Sequence, residues 1–417
     1  MTPFPAPTLE RLPNGLRLVV APGARAGVAA VAVHVGVGFR AEPPGASGLA
    51  HLFEHLMFAG SAHVPAGGHF AAVEAGGGRV GAHTRHDHTE FFDLVAAPAL
   101  GETVALEADR LAGPRLDQHA LSTQVDVIAA EIAQQVDAVP FGGFPWRQLP
   151  AVLWRSPTST HDGYGDLAAL RAVTLEDCER FFERWYDPRN VVVTLEGELE
   201  PREVDRAREA LAAVPARTGP APTPVPVAEP PLVEDRHLTT VAANAPAPAW
   251  AAGFRMPDPV GEPQLHAACT ALATLLPLHA PALRLTGRSG WYGVPADART
   301  PDVLVLSTHP RPGVAPEPLA AALRESLAAL AEDVRRSTPS AVLRTAAARL
   351  RHQAYQRGER TAHRARRLGA TELLFGDYRL DERLDPADAL GALPAALAHV
   401  LDQPMASVLV TPAGGDA

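Results

Sequence analysis

Residues 214–237, VPARTGPAPTPVPVAEPPLVEDRH, hold seven prolines in twenty-four positions. Proline has no amide hydrogen to donate and its ring fixes φ, so this stretch can form neither regular helix nor inner strand. It divides the chain into two near-equal halves, 1–213 and 238–417. A length of 417 residues also exceeds what one ordinary hydrophobic core organises. At least two domains are expected, with the proline-rich stretch as linker.

The halves end alike. Pro188 precedes VVVT at 191–194 and Pro404 precedes VLVT at 408–411, an offset of 217 residues. Each half also mixes strand-like and helical segments. In the first, LPNG marks a turn before the valine-rich LRLVVAP and VAAVAVHVGVG. GGGRVGAHTRHDHTEFFDLVAA reads as a turn followed by strands, ALGETVALEADRLAG and HALSTQVDVIAAEIAQQVD as helices, and Thr174 with Asp177 as a helix start. In the second, LTTVAANAPAPAWAAGF is strand-like, LHAACTALATLLPLHA helical and DVLVLSTHP a strand. A duplicated α+β unit accounts for the pattern.

Composition narrows the function. Apolar residues at 47% and charged residues at 20% fit a soluble globular chain, and a formal charge of −10 argues against general nucleic-acid binding. Cys178 and Cys269 are far apart, which disfavours a disulfide framework or a thiolate zinc site, so any metal must be held by histidine and carboxylate. There is no signal-peptide pattern at the N-terminus and no apolar run long enough for a membrane span. A cytoplasmic protein without membrane contact is expected.

HLFEH, residues 51–55, carries the most specific chemistry. On a helix His51 and His55 stand one turn apart and can aim at one point, with Glu54 on an adjoining part of the surface. Two imidazoles plus one further carboxylate make an open catalytic zinc site, which activates water that a nearby non-ligand glutamate can deprotonate. Two histidines at this spacing also occur on plain helices; a third ligand decides between the readings. HxxEH is moreover the inverse order of the HExxH zinc-peptidase motif.

SGLAHLFEHLMFAGS resembles the core motif of the pitrilysin/insulinase family, the inverzincins that include mitochondrial processing peptidase. In that family a third ligand, a glutamate in a helix, follows the second histidine by about seventy-five residues; Glu131 in VIAAEIAQQ follows His55 by 76. VEAGGGRVGAHTRHDHTEFF is similar to the family's Gly-Gly and NAxT strand, LEADRLAGP to its next helix, and FFERWYDPRNVVVTLEG to the end of its first domain. The resemblance is specific over residues 10–200 and diffuse beyond.

It implies two homologous α/β-sandwich domains, each a mixed, mostly antiparallel sheet flanked by helices. It further implies a catalytic N-terminal domain and a C-terminal domain, 238–417, for substrate enclosure and subunit contact. One Zn²⁺ per chain is implied, with His51, His55 and Glu131 as ligands and Glu54 as catalytic base. Two departures stand out. The family's additional glutamate seven residues before the ligand is Gln124 here, which keeps hydrogen bonding near the ligands but brings no charge. The Asn of NAxT is Gly81, which is expected to loosen the strand.

Gly81, Ala82, His83 and Thr84 match the strand that receives substrate as an added β-strand. His63, His69, His83, His86 and His88 are read mostly as solvated, with His83 foremost among them for peptide contact. Relatives often hold the substrate backbone with an Arg and a Tyr seven apart; the nearest candidates are Arg284 and Tyr292, eight apart, and TGRSG between them reads equally as an ordinary turn.

The function implied is a zinc metalloendopeptidase that hydrolyses short or unstructured polypeptides, such as leader peptides, presequences or fragments. Its chamber is closed by a second subunit. The irregular Arg/Tyr pair favours a heterodimer with a related zinc-less chain over a homodimer. The rival is a non-catalytic structural or partner subunit that keeps the peptidase fold.

Overall fold

The computed structural model describes residues 6–23, 26–299, 301–336, 340–358 and 360–413. In chain order its strands are β1 (Thr8–Arg11), β2 (Arg17–Pro22), β3 (Val28–Val35), β4 (Arg79–Thr84), β5 (Thr89–Ala96), β6 (Val191–Gly197), β7 (Arg236–Ala242), β8 (Ala249–Arg255), β9 (Thr286–Ser289), β10 (Val303–Thr308) and β11 (Ala406–Pro412). The helices that bear on function are α1 (Leu49–Leu56), α2 (Gly68–Ala75), α3 (Leu100–Ala112), α4 (Gln118–Glu131), α5 (Leu149–Leu153), α6 (Leu175–Trp185), α7 (Pro263–His279) and α8 (Thr361–Phe375).

One sheet runs β1-β2-β6-β3-β5-β4 and the other β7-β11-β8-β10-β9. In each, the last strand in sequence lies parallel to an early one, β6 to β2 and β11 to β7. On its other side it is antiparallel to β3 or β8. Beyond those come β5 or β10, with β4 or β9 at the edge. This common order is the expected duplication, and the two tetrapeptides VVVT and VLVT fall in the corresponding central strands. The architecture is α+β, two mostly antiparallel sheets flanked by helices. LTTVAANAPAPAWAAGF supplies two strands, β7 and β8, split by a turn in which Ala245 N–H donates to Ala242.

Each sheet anchors one compact unit, and neither unit is contiguous. Residues 1–129, 163–226 and 356–379 form the first; 130–162, 227–355 and 380–417 form the second. One crossing falls inside the proline-rich stretch, but residues 130–162 and 356–379 each group with the unit of the opposite half.

The reason lies in the strands. β6 is buried at every residue and β3 at all but its first, with His34, Thr194 and Glu196 buried among the apolar residues, so both strands need cover on both faces. Phe91 of β5 turns toward Phe58 and Arg110, on the α1 and α3 side. The opposite face takes α8: Ala365 meets Ala30 and Ala32 with Phe92 and Leu94 beside them, and Leu368 and Leu373 meet Val19, Ala21 and Val192. A Cβ on Gly369 would collide with the His34 ring, so α8 lies against β3 with no room for a larger residue. Ion pairs Arg17–Glu372, Arg364–Glu196 and Arg366–Glu90 fix the helix to β2, β6 and β5.

In the second unit α7 buries Ala268, Leu272 and Leu275 among Phe254, Leu304 and Leu306 on one face of the sheet. On the other face α5, Trp146, Trp154 and Trp291 pack against Val303, Val305 and Val408. Among the described residues no helix is long and apolar enough to cross a membrane, and both cysteines are buried free thiols.

A fragment ending at residue 226 keeps β1–β6 but lacks α8. Its bare sheet face should bind a hydrophobic dye and abolish cooperative unfolding. A monomeric fragment with the sharp thermal transition of the full chain would show that α8 is dispensable.

Candidate metal centre

α1 begins at Gly48, whose φ of 97° is left-handed and whose missing side chain leaves room for the Tyr164 carbonyl and Leu170. Capping comes from Glu42, whose carboxylate accepts from Gly48 N–H and Ala50 N–H, each at 2.9 Å. Those are amides a helix start leaves unsatisfied, and the negative charge suits the helix dipole. Rotation about the helix axis is set by Phe53, fully buried with ring centroids 5.1 Å from Phe181 of α6 and 5.0 Å from Tyr186. α6 itself starts at the expected capping box, Thr174 with Asp177.

With Phe53 inward, His51 and His55 present rings 4.9 Å apart and nearly perpendicular. Tyr164 lies edge-on to His51 at 5.4 Å. Glu131 is the last residue of α4, whose residues up to 129 belong to the first unit, and the helix then widens into a π turn, Ile132–Asp137. One ligand atom from each of His51, His55 and Glu131 lies within 4.8 Å of the other two; His55 and Glu131 are half-buried, and His51 sits at the margin of burial with 9% of its surface exposed. Two imidazoles and a carboxylate, reachable from solvent, fit a zinc ion with an open position. Two turns earlier on α4, Gln124 Oε1 is 3.3 Å from His55 Nδ1. That places an acceptor on one ring nitrogen, the usual way a ligating histidine is oriented.

Glu54 turns aside toward the sheet, where Thr84 Oγ1 donates to Glu54 Oε2 at 2.7 Å. Thr84 ends β4, the edge strand, and its hydroxyl serves Glu54. Gly81 does not loosen this strand: β4 pairs with β5 from Arg79 to Thr84, and the Phe92 ring fills the space a Cβ at 81 would need. His83 points to the other face with Glu90, its ring centroid 5.9 Å from Phe92, and burial together with the nearby Arg85 cation lowers its pKa to about 4. Beside Glu54 and His55 opens a cavity of about 590 Å³ whose walls include Phe58, Phe70, Ala82 and Arg115.

Other histidines correct the expectation of solvent exposure. His63 is exposed, its Nδ1 2.6 Å from Asp109, but His69, His86 and His88 are buried. Two further clusters hold metal-type side chains, His34/His88/Glu90 and His69/Asp93/Glu107. In each a guanidinium occupies the carboxylate, Arg366 on Glu90 and Arg110 on Glu107. Burial opposes ionisation of Glu90, yet His34 and Arg366 hold it well below the usual carboxylate range, while burial pushes Glu107 up to about 8. These are internal hydrogen-bonded networks of carboxyl groups and histidines, each with its own arginine.

Arg284 is exposed in a left-handed conformation (φ 51°). Tyr292 packs on Trp146 at 5.3 Å and donates its hydroxyl to the Asp162 carbonyl at 3.0 Å. TGRS is edge strand β9 rather than a turn. Glu42, Tyr164 and the Phe92 ring, all shaping the site, escaped the sequence reading; only Glu42, shortly before a helix start, left a local signal.

Two family models match: Insulinase (Peptidase family M16) over residues 18–141 and Peptidase M16 inactive domain over residues 172–333. Together they span well over half of the chain. It belongs to the insulinase (M16) peptidase family. The zinc protease PqqE of Helicobacter pylori is 30% identical over 195 residues, 46% of this chain and 44% of that protein. The matched stretches cover less than half of the first curated relatives' own length. A crystal structure of a protease from Helicobacter pylori superposes with a TM-score of 0.83 at 21% identity, covering 98% of this chain and all of that one (100%). The periplasmic protease PqqL from Escherichia coli gives 0.73 at 19% identity, covering 99% of this chain and 48% of that chain. At such identities the superpositions establish the fold.

Metal-free protein titrated with zinc should bind about one equivalent per chain, and less tightly on acidification because protons compete for the imidazoles. His51→Ala and Glu131→Ala should each abolish that binding. Unchanged stoichiometry and affinity in both variants would exclude this cluster as the zinc site.

Proposed function

We propose that the chain is the metal-bearing body of a zinc metalloendopeptidase acting on short or unstructured polypeptides, such as leader peptides, presequences or fragments. The observation that carries it is the convergence of three ligands with a non-ligand carboxylate, Glu54, held in place from the edge strand by Thr84. His51, His55 and Glu131 hold the zinc. When bound, the ion polarises a peptide carbonyl and makes water a nucleophile near neutral pH.

The chain's own groups do the rest. Glu54 takes the proton of the attacking water and delivers it to the departing amine, as a general base and then a general acid. The main chain of Gly81, Ala82, His83 and Thr84 accepts the peptide as a seventh strand, which recognises extended backbone with little demand on sequence. The neighbouring cavity, walled by Phe58 and Phe70, receives a bulky apolar side chain next to the scissile bond. His83 contributes backbone here, since its ring faces away from Glu54.

A second body closes the chamber. This chain matches 48% of the PqqL chain, which has length for two such bodies, and the second body proposed here is a partner chain. Tyr292, engaged with Asp162 and Trp146, supports a related zinc-less partner that brings its own substrate-holding pair. A homodimer is the second arrangement. The match of residues 172–333 to a family domain described as inactive supports the rival, a non-catalytic subunit, for that region. His51, His55, Glu54 and Glu131 all lie in the other match.

Glu54→Gln should retain zinc and lower peptide cleavage by about 10²–10⁴-fold, measured on a peptide library with and without a candidate partner chain. A Glu54→Gln protein as active as the unmodified one removes Glu54 from the role of base. A zinc-loaded native protein that cleaves nothing in either setting supports the structural subunit.

A further inference from the structure

We propose that Arg366 of α8 is a positioning residue for the substrate strand, through a strut that runs from α8 to β5 and on to β4. The inference rests on the reading of β4 as the strand that receives the peptide. β4 is an edge strand, held on one side only, by β5. An edge strand that must offer straight, unpaired main-chain groups to a peptide needs support from the face of the sheet.

That support is visible at His83, Gly81, Glu90 and Phe92. His83 opposes Glu90 and Gly81 opposes Phe92 across the β4–β5 pair, and all four face α8. Arg366 Nε donates to Glu90 Oε2 at 2.9 Å and Nη2 donates to Oε1, a two-pronged hold on the carboxylate. Its guanidinium also lies over the Phe92 ring, 4.4 Å from the centroid. Phe92 in turn fills the space above Gly81, where any side chain would collide with it. Glu90 is further tied to His34 of β3 at 3.4 Å, which anchors the strut to the middle of the sheet. One side chain from residues 361–375 thus fixes both residues of β5 that back the substrate strand.

Arg364 supplies an internal control. It sits two residues away on α8 and pairs with Glu196 on β6, which has no contact with β4 in the sheet. Losing either arginine leaves a buried glutamate without its guanidinium, so both variants should lose thermal stability. Only loss of Arg366 should reach substrate.

The test measures peptide KM and kcat, zinc content, and amide hydrogen exchange in residues 79–84 for Arg366→Gln, Arg366→Lys and Arg364→Gln in the full chain. Arg366→Gln should raise KM about tenfold with kcat and zinc little changed, and should speed exchange in 79–84. Arg366→Lys, which keeps the charge but not the fork, should fall between, and it stands in if Arg366→Gln does not fold. Arg364→Gln should leave KM and β4 exchange as in the unmodified protein. Equal effects of the Arg364 and Arg366 variants, or none from Arg366→Gln, overturn the proposal. If the unmodified protein cleaves no peptide, the functional reading fails, and exchange in 79–84 still decides the strut.

Discussion

A sheet whose central strands are buried on both faces needs two coats, and the first unit has only one of them within its own half of the chain. The face of β3 and β6 that α8 covers mixes Ala30, Ala32 and Val192 with His34, Thr194 and Glu196, so leaving it bare would expose apolar surface and also strip Glu196 of its arginine. The chain answers with α8, some 160 residues beyond β6. Residues 149–153 do the converse, covering one face of the second sheet from the first half. Small residues decide how closely these coats lie: Ala30, Ala32 and Gly369 on one side, Gly253 beneath Leu149 and Leu153 on the other. Helix α1, which carries His51, Glu54 and His55, depends on the same sheet, since Thr84 of β4 fixes the carboxylate that α1 presents.

Charge sorts three similar clusters into different roles. Each contains histidine and carboxylate close enough for a common ion. In two of them an arginine sits on the carboxylate inside the core, and a divalent ion would have to displace or approach a guanidinium in a poorly screened environment. Their chemistry is that of buried pairs, in which removing one partner costs more than the pair contributes. The His51/His55/Glu131 cluster is partly exposed, so an ion can reach it from solvent.

Much of this was legible in the sequence, and the limits have physical causes. HxxEH with Glu131 at a distance of 76 residues pointed to three side chains that the fold brings together, because helical spacing and a family pattern each constrain them independently. The VVVT and VLVT match exposed the duplication, since central strands must be apolar whatever surrounds them. Proline at 214–237 marked one crossing between units but gave no hint that 130–162 and 356–379 change sides, because which helix covers which face is a long-range choice that local pattern does not encode. Burial of His69, His86 and His88 is hidden from the sequence for the same reason: polarity alone does not reveal that His69 and His88 join carboxylates held by Arg110 and Arg366, or that His86 packs on Phe39. Gly81 looked like a weakness until Phe92, eleven residues on, was seen to occupy the space.

Gln124 shows how the proposed centre is tuned. Two neutral imidazoles and one carboxylate leave a divalent ion with a net charge of about +1 on the ligand set. A glutamate at 124, one hydrogen bond further out, would bring the assembly near neutrality; the amide does not. Orientation survives the exchange, because the Gln124 carbonyl oxygen still accepts from the His55 ring at Nδ1. What is lost is electrostatic. A centre with uncompensated positive charge holds its ion less tightly and polarises what the ion touches more strongly. In the proposed centre Glu54 is a carboxylate outside the ligand set, and its hydrogen bond from Thr84 keeps it turned toward β4 and so available for the proposed proton transfer.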